Sequence, residues 1–161
     1  MSKTLVITRV LDAPVEKVWA AWTEPEQIKK WWGPKDFTAP SITVDLREGG
    51  KYHFCMHGKP APDMAEQDFW SGGTYEEIVP LKKLVYLDSF ADAEGNLVPA
   101  ANYGMPDFPD TMRVTLEFET QPDGKTKMTL HHEGVPDGGD NAANMETGWN
   151  QSLDKLAESV R

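Results

Sequence analysis

The sequence predicts an α+β fold in which a curved antiparallel sheet closes around a long C-terminal helix. Three observations carry that prediction. Alternating, β-branched segments fill the middle of the chain, helix-period apolar faces recur only toward its two ends, and one face of the alternating segments is apolar and must be covered. The C-terminal segment is the element long enough to cover it. At 161 residues the expected organisation is a single domain over residues 1–161, large enough to bury roughly 70% of its unfolded surface without staples.

Residues 4–10 are rich in β-branched types and read as a first strand. Val15, Val18, Trp19 and Trp22 then fall at i, i+3, i+4 and i+7, one helix face, with Pro14 in the tolerated first-turn position. A second short helix follows, read from a Thr23/Glu26 capping box, Pro25, and the apolar residues Ile28, Trp31 and Trp32 before Gly33-Pro34. Ile42, Val44 and Leu46 alternate up to Gly49-Gly50, and Tyr52, Phe54 and Met56 alternate beyond it, a hairpin pattern. Four more strands are expected over 73–79, 84–90, 112–119 and 126–132, the last two joined through Gln121-Pro122-Asp123-Gly124. Met145, Trp149, Leu153, Leu156 and Val160 define the apolar face of the last helix, with Asp140 or Asn141 as N-cap. The irregular segments 58–66 and 91–110 remain, and the second is long enough to mark the rim of a site.

Composition narrows the function. Sixteen basic against 26 acidic side chains leave a net charge of −10, which repels phosphate-rich surfaces, so no nucleic acid and no anionic membrane is expected as partner. The longest apolar run, Val18–Trp22, is far short of the roughly 20 residues of a bilayer span, so no membrane insertion is expected. A polar N-terminus, Met1 to Arg9, and a single cysteine, Cys55, point to a cytoplasmic, reducing setting.

One strand, two short helices, an antiparallel meander and a long final helix is the order of the helix-grip fold. The chain resembles the START-like (SRPBCC) superfamily and, within it, the family related to the activator of heat-shock-protein-90 ATPase. The resemblance rests on Ala13-Pro14 with Val18-Trp19, Trp31-Trp32-Gly33-Pro34, Gly49-Gly50 before Tyr52, Gly73-Thr74-Tyr75 with Ile78 and Pro80, Thr129-Leu130 with Glu133-Gly134, and Gly148-Trp149 before Leu153 and Leu156. It implies a cavity between sheet and C-terminal helix. Relatives in the wider superfamily bind lipids, hormones or polyketides, or run cyclase and hydrolase chemistry there; the co-chaperones carry an additional N-terminal domain for which this chain is too short.

The expected ligand-binding residues are Trp32, Tyr52, Phe54, Tyr86, Asp88, His132, Met145 and Trp149. Tyr52 and Phe54 share the inner parity of their strand, Tyr86 and Asp88 share parity with Leu84, and His132 shares it with Met128 and Leu130, leaving His131 outside. The same aromatics would equally fill a core. An Asp88–His132 pair would be an acid/base unit, although a wet Asp88 at the strand end is the plainer alternative. His53, Cys55 and His57 alternate with the inner residues and should face solvent. Residues two apart on a strand are separated by about 6.6 Å, too far for three ligands to reach one zinc, so no metal is expected. No cofactor is expected either: the chain has no GxGxxG, P-loop, HExxH or GxSxG. The reading is binding of a small apolar or amphipathic molecule, with a co-chaperone-like protein interaction or an enzyme using cavity polar groups as alternatives. A cavity above about 300 Å³ favours the first and last.

Overall fold

A computed structural model describes residues 2–161; Met1, the first residue of the polar N-terminal stretch, lies outside them. Strand β1 (Ser2–Leu11) leads into helices α1 (Val15–Thr23) and α2 (Pro25–Ile28), followed by β2 (Thr38–Val44), β3 (Lys51–Gly58), β4 (Gln67–Val79), β5 (Lys83–Ala91), the two-residue β6 (Leu97–Val98), β7 (Met112–Thr120), β8 (Thr126–Pro136) and α3 (Asn141–Val160). The strands form one antiparallel sheet in the order β1-β8-β7-β5-β4-β3-β2, with β6 against β5. Curved around α3, it is the expected α+β helix-grip arrangement.

Parity sets the inner face. Across the ladder, Ile7 pairs with Leu130, Leu130 with Leu116, Leu116 with Leu84, and Val114 with both Tyr86 and His132. All but His132 are apolar or aromatic, and all are buried. The face is covered in two parts. Val15, Val18 and Trp22 of α1 and Ile28 of α2 cover one, with Trp31 completely enclosed and its Nε1–H donating to the Ala21 carbonyl at 2.7 Å. The other lies under Leu153, Leu156 and Val160, which bury the C-terminal half of α3. Arg9 fastens this half from β1, donating to the Asn150 carbonyl and side chain at 3.1 Å and pairing with Asp154 at 2.9 Å.

Two sequence readings change at the helix starts. Thr23 is no capping residue: α1 runs through it, and its hydroxyl donates back to the Trp19 carbonyl at 2.8 Å, while Glu24 occupies the N-cap of α2. Asp140 is the N-cap of α3, without a side-chain capping bond. The segment 91–110 also contains more order than a loop, holding β6 and a 3-10 turn over Ala100–Tyr103.

Gly73 shows why one strand needs a glycine. A Cβ there would lie 1.8 Å from the Leu87 carbonyl oxygen and 3.1 Å from the Tyr52 hydroxyl. Its absence lets β4 and β5 close up while the Tyr52 ring passes over them.

Candidate functional site

The apolar stripe of α3 does not pack along its whole length. Leu153, Leu156 and Val160 are buried in the sheet, whereas Met145 and Trp149, two turns earlier, are only half-buried. The N-terminal half of the helix therefore stands away from the sheet. A cavity of about 370 Å³ opens between them.

Its walls come from six parts of the chain. Trp32, Gly33 and Pro34 follow α2; Met56, Asp88 and His132 project from β3, β5 and β8; Met105 and Phe108 come from the segment before β7; and Asn141, Asn144, Met145, Gly148, Trp149 and Ser152 come from α3. Gly33 takes a left-handed φ of +99°, which turns the chain from α2 along the cavity floor beside Met56. At Gly148 a side chain would find open space, its Cβ meeting only Pro34 at 3.8 Å.

Two titratable groups, Asp88 and His132, stand in this wall beside the uncharged Asn141, Asn144 and Ser152. The Tyr52 hydroxyl donates to Asp88 Oδ1 at 2.6 Å, and burial pushes the Asp88 carboxyl up to about 6 against the opposing pull of that bond. Trp149 Nε1–H donates to His132 Nδ1 at 2.9 Å. An Nδ1 that accepts puts the proton of the neutral ring on Nε2. Burial brings His132, 2% exposed, down to about 4, so the ring is neutral at physiological pH, and its Nε2 is buried without a partner. Asp88 and His132 are thus held by different partners, Tyr52 and Trp149, rather than by each other as the acid/base alternative requires. Asp88 lies within β5 rather than at its end, and it is half-buried at the cavity.

Of the residues expected to bind ligand, Trp32, Asp88, His132, Met145 and Trp149 border the cavity. Tyr52, Phe54 and Tyr86 do not. They lie deeper, with Trp22, Ile28 and Trp31, around a gap of about 10 Å³, room for one water at most. There Tyr52 meets Phe54 at 4.8 Å and Tyr86 at 5.4 Å between ring centres, and these rings act as core. Met105 and Phe108 lie in the segment read as the rim of a site, whereas Met56, Asn141, Asn144, Gly148 and Ser152 are absent from the expected set. The signal for Met105 and Phe108 was present, since apolar residues in a long irregular segment need something to cover.

Strand β3 brings one correction on its outer face. His53 and His57 are half-exposed, but Cys55 between them is 1% exposed rather than solvent-facing. Trp70 pairs with Cys55 across the ladder and stacks on His53 at 4.5 Å, so an aromatic layer covers that side of the strand. Burial, and then the neighbouring Asp68, push the thiol up to about 11. His57 sits between Asp68 at 2.7 Å and Glu66 at 3.2 Å, and His53 Nε2 lies 2.8 Å from the Asp92 carbonyl. Among the described residues, no helix is long and apolar enough to cross a membrane.

Comparison with known proteins agrees with this architecture. A crystal structure of a protein from Chromobacterium violaceum superposes with a TM-score of 0.75 at 29% identity, covering 98% of this chain and 97% of the other. One from Nitrosomonas europaea gives 0.71 at 26% identity, covering 97% and 92%. The fold alone is shared with the AHSA1-like protein of Aeromonas hydrophila, at a TM-score of 0.69, 22% identity and coverage of 98% and 92%. No curated protein matches the chain significantly. The family model described as Activator of Hsp90 ATPase homolog 1-like protein matches residues 12–161, nearly the whole length, and the chain belongs to that family.

Proposed function

We propose that this protein binds a small amphipathic molecule in the cavity between the sheet and the N-terminal half of α3. The observation that carries the reading is the cavity itself. Its volume of about 370 Å³ falls within the size range of small-molecule sites, and its walls combine three aromatic rings and three thioethers with convergent polar groups. Methionine walls adapt to irregular ligand shapes, and Met56, Met105 and Met145 lie on three separate parts of the chain around the space. A cavity of this size also argues against a role carried by surface alone, because a protein-interaction domain gains nothing from an unfilled interior. The single, buried thiol of Cys55 fits a reducing, cytoplasmic setting.

The test uses Nile red, an uncharged dye that brightens in apolar surroundings. It should saturate near one-to-one and perturb tryptophan emission, because Trp32 and Trp149 border the space. Gly148→Leu should fill the cavity from the helix side and weaken the dye about tenfold or more, while raising helix propensity by up to about 1 kcal/mol. Unsaturable binding, or a Gly148→Leu protein that is folded and binds Nile red as the parent does, would refute the assignment.

A further inference from the structure

We infer that the ligand is a lipophilic organic amine whose ammonium group pairs with Asp88 while its apolar body lies among Trp32, Met56, Phe108 and Trp149. The inference rests on the cavity being a binding site, and it adds the ligand's charge.

Asp88 is an acid set into an apolar wall. Among the described residues bordering the cavity there is no lysine or arginine. Lys155, which reaches Pro34 from the following part of α3, is occupied: its Nζ donates to the carbonyls of Pro34 and Phe37 at 3.1 Å each. His132 does not supply a cation, since its Nδ1 already accepts from Trp149 and burial keeps the ring neutral. A carboxylate or phosphate ligand would therefore enter a space with no countercharge and would face Asp88, a like charge in low dielectric. An ammonium meets the opposite situation. Tyr52 engages Oδ1 of Asp88 at 2.6 Å, leaving Oδ2 for the incoming N–H. The resulting charge-assisted hydrogen bond offsets the burial that otherwise favours the neutral acid.

The aromatic wall points the same way. Indole faces attract cations, and Trp32 and Trp149 approach to 6.1 Å between ring centres at the cavity. The whole chain, with a net charge of −10, attracts cations at long range as well.

One feature opposes this. The N-terminus of α3, carrying about half a positive charge, borders the cavity through Asn141 and Asn144. It lies on a solvent-exposed stretch beside Asp137 and Asp140, so the full charge of the half-buried Asp88 carboxylate outweighs it.

Three probes with one apolar body separate the cases: phenylbutylamine, phenylbutanol and phenylbutyrate, titrated by tryptophan fluorescence in mildly alkaline buffer. The amine should bind about tenfold or more tightly than the alcohol, and the carboxylate most weakly. Asp88→Asn, checked for folding by circular dichroism, should erase the difference between amine and alcohol. The ranking in the parent protein needs no variant. Equal binding of all three, or a preference for the carboxylate, overturns the assignment of charge and leaves the cavity reading intact. Nile red binding with none of the three probes binding does the same, whereas failure of Nile red as well overturns both.

Discussion

Asp88 and His132 border the same cavity, and burial moves them in opposite directions, the acid up to about 6 and the imidazole down to about 4. Their effects on stability have opposite signs. The folded state holds the Asp88 proton more tightly than the unfolded chain, so stability falls as pH rises from the ordinary aspartate value of 3.8 to about 6. Folding resists protonation of His132, so that contribution is lost as pH falls from 6.5 to about 4. Each is on the order of a few kcal/mol, and over nearly the same pH range they oppose each other. Single variants should expose them. Urea unfolding of Asp88→Asn should show stability rising with pH across this range and a gain at neutral pH. His132→Gln should show the reverse slope. Identical pH profiles for the two variants would mean that neither group is buried as described.

At the scale of elements, α3 divides into a half that holds the fold and a half that borders the cavity. Leu153→Ala and Leu156→Ala remove fully buried side chains and should each cost about 2–5 kcal/mol in chemical denaturation. Met145→Ala, half-buried at the cavity, should cost less than about 1 kcal/mol and change ligand binding instead. Equal costs at the two ends would show the helix packed uniformly. Gly73→Ala should rank with the core losses, because its Cβ would meet the Leu87 carbonyl at 1.8 Å and the β4–β5 ladder would have to open.

The same division explains what the sequence could disclose. Period 2 and period 3.6 report which face of an element is dry, and they placed His132 inside, His131 outside and the five apolar positions of α3 on one stripe. Dryness does not distinguish a side chain pressed against a neighbour from one beside a void. Met145 and Leu156 therefore read alike, as do Asp88 at the cavity and Tyr86 behind it. Where the helix parts from the sheet depends on the curvature of the sheet and on Trp32, which meets Trp149 of the helix, distances between elements far apart in the chain. Cys55 was misplaced for a related reason: parity put it on the outer face, but the cover over that face comes from Trp70 on the next strand.

For the molecule as a whole, the cavity and the transition temperature are linked. A site that exists only in the folded state adds RT ln(1 + [L]/Kd) to stability, about 2.7 kcal/mol at a hundredfold excess over Kd. For a chain of this size each kcal/mol moves Tm by about 2–4 °C. Saturating phenylbutylamine should therefore raise the Tm of the parent protein by about 5–10 °C. In Gly148→Leu the transition should begin higher, from the added helix propensity, and respond little to the amine, because the space is filled. The two effects separate packing from binding in one scanning experiment. EDTA serves as the control. His53, Cys55 and His57 are spread along one strand, with spacings too long for three ligands to meet one ion, so the chelator should leave Tm unchanged. A drop in Tm with EDTA, restored by zinc, would relocate the functional centre to the outer face of β3.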